Sequence, residues 1–281
     1  LASEARLACF VAIAQGDLPQ ESWFALGRLL TRAAGQPVLY SWSGSMFEYL
    51  MPMLVMPSYE GTLLDQTCGA AVEAQISYGK KRGVPWGVSE SCYNALDVNF
   101  NYQYRAFGVP GLGLKRGLAE DLVIAPYASM LALMVAPRDA CRNLQRLSSE
   151  GVQGRYGFYE AVDYTNSRLP RGHQQAVIRS FMAHHQGMGF LSLAWVLLDR
   201  PMQRRFSADP LFQATMLLLQ ERIPRATAFH SQSAEFSDVR PASEEPAAPM
   251  RVFKSYDTPA PEVQLLSNGR YHVMVTNAGG G

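Results

Sequence analysis

Two glutamates close matching patterns in the sequence. Glu90 ends the run Trp-Gly-Val-Ser-Glu, and Glu160 ends the run Tyr-Gly-Phe-Tyr-Glu seventy residues later. Each run follows an amphipathic helical pattern and a short glycine-containing loop, so each glutamate is expected just beyond a helix C-terminus. If both loops open at one end of the domain, two carboxylates and several aromatic rings meet there. Such a set can supply acid, base or nucleophile, and flat faces for pyranose rings.

A structural role is the alternative for this repeat. A glycine flanked by aromatic residues often only ends a helix, and a nearby glutamate is often only solvated. The two copies share their offsets, however, in a chain with only 17% charged residues. Both interpretations therefore stay open on the residues alone.

Glu48 is a further candidate, because it lies in the run Met46–Pro52 among apolar neighbours. Burying an unpaired, charged carboxylate costs several kcal/mol, so this one needs a partner or a raised pKa. We expect Glu48 to hydrogen-bond a sugar hydroxyl or a catalytic partner from inside a cavity. A purely structural role is the alternative.

Aromatic and polar residues alternate between residues 93 and 107, where Asp97, Tyr102 and Tyr104 lie. As a strand this segment would be half-buried, and as a loop it would form a wall of rings and amides suited to sugar hydroxyls. Either arrangement places polar groups beside the predicted site.

The adjacent pair His184 and His185 lies in a helical pattern. Adjacent side chains point about 100° apart on a helix, so a two-histidine metal site is not expected. The favoured arrangement has one histidine packed or hydrogen-bonded and the other facing a cavity. We expect neither a metal nor a cofactor.

The bulk properties exclude some functions. The net charge is +1 and the basic residues form no long run, so no nucleic-acid partner is expected. Four cysteines without CxxC spacing favour free, buried thiols. No apolar run approaches the length of about 18 residues that indicates a membrane-spanning helix.

Helical patterns dominate the chain up to residue 225, with at least seven helices in sequential pairs. An all-α array of helical hairpins closed into a toroid fits this order better than a four-helix bundle. Residues 231–261 lack periodicity and are predicted to be a linker between a helical domain at 1–230 and the start of a β domain at 262–281. The pair Asn268-Gly269 predicts a β-hairpin there.

Five motifs together resemble a known family. They are Ser41–Pro52, Pro85–Ser91, Phe107–Gly117, Gly154–Ala161 and Phe181–Met188. In this order they strongly resemble the glycoamylase-like central domain of bacterial cyclic β-1,2-glucan synthases, and residues 258–281 resemble the start of the phosphorylase-like region that follows it. The resemblance implies an (α/α)6 toroid, incomplete at its N-terminus, that closes linear β-1,2-glucan into a ring by transglycosylation.

The resemblance also implies the partners and the site. The glucan chain and the neighbouring glycosyltransferase and phosphorylase-like domains would be the partners, at the cytoplasmic face of the bacterial inner membrane. By motif, the catalytic positions fall on Glu90 and Glu160, with Glu48, Asp97 and Asp163 as the reserve acidic positions. The expected substrate-binding residues are Glu48, Trp42, Trp86, Asp97, Tyr102, Tyr104, Tyr156, Tyr159, Asp163, His184 and His185.

Two other functions remain open. One is a non-catalytic glucan-binding or scaffolding module, which would need the rings but not the paired glutamates. The other is a β-1,2-glucan hydrolase. A terpenoid-cyclase-like toroid is disfavoured, because the sequence lacks an Asp-Asp-x-x-Asp cluster.

Overall fold

The computed structural model describes residues 1–33, 35–224, 258, 263–267 and 272–277. The chain divides into two compact units, Leu1–Phe236 and Ser237–Gly281. Most of the predicted linker at 231–261 lies outside the described residues. No helix in the described part has the length and apolarity needed to cross a bilayer.

The first unit is rich in helices. Within the described residues they are α1 (Ala5–Gln15), α2 (Glu21–Ala25), α3 (Met46–Leu50), α4 (Leu63–Arg82), α5 (Pro126–Leu131), α6 (Pro137–Ser149), α7 (Ala183–Leu197), α8 (Pro201–Ala208) and α9 (Pro210–Thr215). The helix-rich prediction is confirmed, whereas closure into a toroid stays a prediction.

Small antiparallel sheets join the helices. They pair β1 (Leu30–Ala33) with β2 (Gln36–Leu39), β3 (Ser91–Leu96) with β4 (Tyr102–Arg105), and β6 (Gln153–Gly154) with β7 (Gly157–Phe158). A three-stranded sheet has the order β5 (Val123–Ile124), β8 (Ala161–Asp163) and β9 (Ala176–Ile178). The strictly all-α prediction is therefore wrong, because short strands connect the helices.

The second unit contains the predicted hairpin strands. β10 (Val263–Ser267) pairs antiparallel with β11 (His272–Thr276). The Asn-Gly turn between them lies outside the described residues.

The apolar patterns in the sequence predict one helix from Pro19 to about Ala34 and another from Gln174 to about Leu198, and both predicted helices are too long. The helix expected from Pro19 to Ala34 ends at Ala25, because Arg28 donates to the carbonyl oxygens of Trp23 and Leu26 and pairs with the distant Glu221 at 2.8 Å. The helix expected from residue 174 begins only at Ala183, since Ala176–Ile178 pairs with β8. Tertiary contacts override local periodicity at both places.

The two helices that precede the glutamates end in the same way. At the end of α4, Gly83 adopts φ 72° and the N–H of Val84 donates to the Gly79 carbonyl at 3.1 Å. Beyond α6, Gly151 adopts φ 81° and the N–H of Val152 donates to the Leu147 carbonyl at 3.1 Å. Both are left-handed Schellman-type ends, which glycine adopts without strain. The sequence repeat is thus also a structural repeat.

α5 lies at the centre of the core. Ala125, Ala128 and Leu131 are fully buried, and the helix packs against α3, α6 and α7. Because α5 contacts both α3 and α7, it lies between these two helices. This helix carries Tyr127, around which the candidate site is arranged.

The thiols differ in part from expectation. All four cysteines are free, but Cys141 is exposed, whereas Cys68 and Cys92 are buried.

Candidate active site

Glu160 is held at the start of β8 by three elements. Its N–H donates to the Ser180 carbonyl at 3.0 Å, and its carboxylate accepts from the N–H of Cys92 on β3 at 3.2 Å. The Nδ1 atom of His185, in the first turn of α7, lies 3.0 Å from the same carboxylate. Both side chains are buried. These contacts fix the position and orientation of the Glu160 carboxylate.

His185 connects Glu160 to two tyrosines. Its ring stacks on Tyr127 with centroids 3.7 Å apart and planes 10° apart, and its Nε2 lies 3.3 Å from the Tyr104 hydroxyl. With an ionised Glu160 and a neutral imidazole, Nδ1–H donates to Glu160 and Nε2 accepts from the Tyr104 hydroxyl. The chain Tyr104–His185–Glu160 is therefore one hydrogen-bonded series.

Glu90 has a different environment from Glu160. Its side chain is half-buried, and its carboxylate accepts no hydrogen bond and forms no ion pair among the described residues. Burial, with smaller contributions from the charges of Glu4 and Glu48, raises the pKa of Glu90 to about 7, while Lys115 opposes the rise. Desolvation disfavours the charged form when no donor compensates it. Glu90 is thus suited to hold a proton near neutral pH.

Tyr104 and Tyr127 border both glutamates. The Tyr127 hydroxyl donates to the backbone carbonyl of Glu90 at 3.0 Å and contacts the Ser89 hydroxyl at 2.7 Å. Burial, followed by the charges of Glu90 and then Glu160, raises the pKa of Tyr104. The two glutamate segments therefore surround the same pair of tyrosines.

A cavity of about 190 Å³ opens beside Glu160. Its polar wall contains Glu160, His185 and Gln186. Its apolar wall contains Tyr127, Met130, Tyr156, Phe158, Tyr159, Phe190 and Leu193. Tyr156 is 74% exposed, so its ring is accessible to a ligand at the cavity mouth. Aromatic walls with a few polar groups are typical of small-ligand sites.

Several residues expected in the site have other roles. The Trp86 side chain is buried in the core. Its main-chain N–H donates to Asn143, and its main-chain carbonyl accepts from Asn143 and Ser129. Asp163 is fully buried and pairs with Arg168 at 2.7 Å, so it has no surface for a substrate. The burial of both side chains does not support the substrate-binding prediction for these two residues.

Glu48 also differs from expectation. Its two carboxylate oxygens accept hydrogen bonds from backbone and hydroxyl groups of residues 41–45, including Ser43 Oγ at 2.6 Å. The carboxylate is buried within this loop, which leaves a sugar hydroxyl no access to it. These hydrogen bonds do not support the predicted contact between Glu48 and a sugar hydroxyl. They fit the alternative, in which Glu48 has a structural role.

The remaining predicted residues lie at the periphery of the site. Asp97 is exposed and accepts from the N–H groups of Asn99 and Asn101, and these bonds, with that from Asn101 largest, lower its pKa. Tyr102 is half-buried against the core. His184 is exposed, and its ring lies 4.1 Å from that of His185. Partial desolvation by its neighbours lowers the pKa of His184, with a smaller effect from His185.

Sequence reasoning missed Tyr127 and Arg168. Tyr127 lies within an apolar helical pattern, and its hydroxyl was the available signal, since a buried phenol needs a partner. Arg168 joins Asp163 to Asp121, and its guanidinium lies 4.9 Å from the Tyr93 ring centroid. This network connects β3 and β8, which flank the site. The five-residue interval from Asp163 to Arg168 was its only local signal.

The chain is similar in sequence and in fold to known glucan-related proteins. The chain is 46% identical over its full length to cyclic beta-(1,2)-glucan synthase NdvB of Rhizobium meliloti (strain 1021) and spans 10% of that protein. Residues 247–281 match a glycosyl hydrolase 94 supersandwich domain. An endo-beta-1,2-glucanase from Chitinophaga pinensis has a similar fold, with a TM-score of 0.50, 17% identity, and coverage of 70% of this chain and 47% of that one.

The family follows from the match to residues 1–209, which include both glutamates and the tyrosine and histidine residues around them. That match is to the Glycoamylase family model, described as "Putative glucoamylase". It covers well over half of the chain. The chain therefore belongs to the glycoamylase family.

Proposed function

We propose that this chain is a glycoside hydrolase-like domain that acts on β-1,2-glucan, cleaving the chain and rejoining its ends into a ring. The family match and the 46% identity to a protein named for cyclic β-(1,2)-glucan synthesis support this substrate. The chain spans only a tenth of that relative, so the activity of the whole relative is carried over here as part of the proposal.

The different environments of Glu90 and Glu160 carry the proposal. Glycosidic bond cleavage needs one carboxyl group that holds a proton and one that is ionised. Glu90 has a pKa of about 7 and no partner among the described residues, so it is the proton donor to the leaving oxygen. In this proposal Glu160 is the ionised carboxylate, and the N–H groups of Cys92 and His185 hold it in position. Glu160 then attacks the anomeric carbon or activates the attacking hydroxyl.

The rest of the proposal concerns the surroundings. According to this proposal, the helices of the first unit form part of an (α/α)6 toroid. The domain works next to glycosyltransferase and phosphorylase-like domains at the cytoplasmic face of a membrane. Transfer to the chain's own end, rather than to water, closes the ring.

Incubation with linear β-1,2-glucan tests the function. The full-length protein that contains this chain would be given the glucan without nucleotide sugar, metal or phosphate. We expect products one water lighter than linear chains of equal length, together with a redistributed ladder of lengths, both seen by mass spectrometry. Shorter reducing chains alone would indicate a hydrolase, and an unchanged ladder would indicate a binding module.

A further inference from the structure

Two of the sequence motifs, which the catalytic pair does not use, form one structure. The loop 41–45 lies against the segment 108–115. The N–H of Ser41 donates to the Leu112 carbonyl at 3.0 Å, and the carbonyl of Trp42 accepts from Lys115 N–H at 2.8 Å. The N–H of Val109 donates to the Gly44 carbonyl at 3.1 Å. The main chain on both sides of Trp42 is therefore fixed.

Two glycines allow this close approach. A Cβ atom on Gly108 would lie 1.6 Å from the Ser43 carbonyl oxygen, and one on Gly113 would lie 2.5 Å from the Ser43 carbonyl carbon. No side chain fits in either space without moving the backbone. The two segments are thus built to touch at Ser43.

Glu48 supports the same loop from inside. Its carboxylate accepts from the N–H groups of residues 42, 43 and 45 and from the hydroxyls of residues 41, 43 and 45. Ser45 also begins α3 with a capping box in which Glu48 is the reciprocal partner. A buried carboxylate with this many donors holds a loop in one conformation.

An exposed tryptophan lies at the centre of this rigid loop. The Trp42 side chain is 67% exposed, whereas Trp23 and Trp86 are buried and Trp195 is half-buried. The ring is therefore accessible to a ligand, and an aromatic face is suited to packing against the apolar face of a pyranose ring. The rigid main chain lowers the entropy that a ligand loses by ordering the ring.

The loop lies on the Glu90 side of the site. At the start of α3, the N–H of Met46 donates to the Val88 carbonyl at 3.1 Å, and the N–H of Phe47 donates to the Ser89 hydroxyl at 3.0 Å. Val88 and Ser89 directly precede Glu90 in the chain. The charge of Lys115, whose N–H holds Trp42, acts on the Glu90 carboxyl group. Trp42 and Glu90 are thus carried by directly bonded segments.

We propose that Trp42 is a stacking platform for a pyranose ring of the glucan on the Glu90 side of the site, and that Glu48 is the positioning residue that holds it. The proposal rests on the proposed function for the identity of the ligand. It gives Glu48 an indirect part in substrate binding, through the loop and not through a sugar hydroxyl.

Kinetics with linear β-1,2-glucan of the full-length protein test the platform. Trp42→Ala should raise KM about three- to tenfold with kcat changed less than twofold, because aromatic stacking contributes about 0.5–1.5 kcal/mol. Trp42→Phe keeps an aromatic ring and should raise KM less than Trp42→Ala does. Phe24→Ala, which removes another exposed ring on α2, is the matched control and should leave KM unchanged. An unchanged KM in Trp42→Ala would overturn the platform.

A double-mutant cycle tests Glu48. Glu48→Gln should raise KM in the native protein but add nothing in a Trp42→Ala background, because both changes remove one contact. Ser43→Ala, which deletes only the hydroxyl at 2.6 Å, gives the same comparison if Glu48→Gln does not fold. Additive losses would refute the positioning role.

Failure of the platform and failure of the proposed function are distinguishable. If the protein binds the glucan without transforming it, the dissociation constant from calorimetry replaces KM, and the loss in Trp42→Ala is still expected. Products with no dependence on Trp42 would reject only the platform. Absence of both binding and products would reject both proposals.

Discussion

The two copies of the repeat, residues 83–90 and 151–160, share their helix ends but differ in what surrounds their glutamates. In the first copy Trp86 is buried and Glu90 is half-exposed without a partner among the described residues. In the second copy Tyr156 is exposed and Glu160 is buried with two donors. Exposure of the ring and exposure of the carboxylate are thus exchanged between the copies.

This difference shows that two carboxylates at the same place in one motif can have different partners. Glu160 is the more buried carboxylate, and the N–H groups of Cys92 and His185 fix its position. Glu90 is less buried, but it accepts no hydrogen bond among the described residues, and desolvation raises its pKa to about 7 against the opposing charge of Lys115. One local motif therefore yields two carboxylates with different chemistry, because the contacting elements differ.

Removing either carboxylate should lower activity more than any other change in the two copies. Glu160→Gln and Glu90→Gln are each expected to lower kcat by more than about a hundredfold, since a general acid, base or nucleophile contributes at least that much. Product formation from linear β-1,2-glucan measures the loss, and circular dichroism checks the fold. Full activity in either variant would show that the glutamate of that copy is not catalytic and that the copy only ends a helix.

Altering the histidine should have a smaller effect, confined to the second copy. The amide nitrogen of Asn occupies the place of Nδ1, and that of Gln the place of Nε2. His185→Gln should therefore lower kcat about ten- to hundredfold, because a hydrogen bond to a charged group contributes about 1.5–3 kcal/mol, whereas His185→Asn should retain more activity. Exposed His173→Asn is the matched control. Equal losses in Asn and Gln variants would show that only the stacking on Tyr127 matters.

Local signals in the sequence account for much of the fold. Thr62 caps α4, Gly83 ends it, and Pro137 opens α6, all at positions where side-chain chemistry alone favours a helix boundary. The repeat also predicts Glu90 and Glu160 as the catalytic pair from their spacing, and that assignment stays a prediction. The end of α2 could not be predicted, because it depends on an ion pair between Arg28 and Glu221.

The internal contacts of the site were less accessible to sequence reasoning. His185 was singled out, but its bond to Glu160 joins two elements through the fold, and Tyr127 was hidden in an apolar helix. Trp86 and Tyr156 occupy the same place in the repeat, so the sequence could not show that only one ring is exposed. Burial depends on which neighbour covers a residue, and that information is not local.

The pH dependence of activity provides the finest test, because it reports the environment of the first copy. Glu90 must hold its proton to donate it, so activity should fall as the pH rises through about 7. Lys115 lowers the Glu90 pKa, so Lys115→Met should move this falling limb to higher pH. Glu4 raises the pKa, so Glu4→Gln should move the limb to lower pH. Opposite shifts are expected because the two variants remove charges of opposite sign.

Lys115→Arg is the control for that test, since it keeps the charge and should leave the limb in place. The limb must also disappear in Glu90→Gln, which cannot titrate, from whatever residual activity remains measurable. Shifts of the same sign in Lys115→Met and Glu4→Gln would assign the limb to another group. Glu160 would then be the next candidate for the proton donor, and the roles proposed for Glu90 and Glu160 would be exchanged.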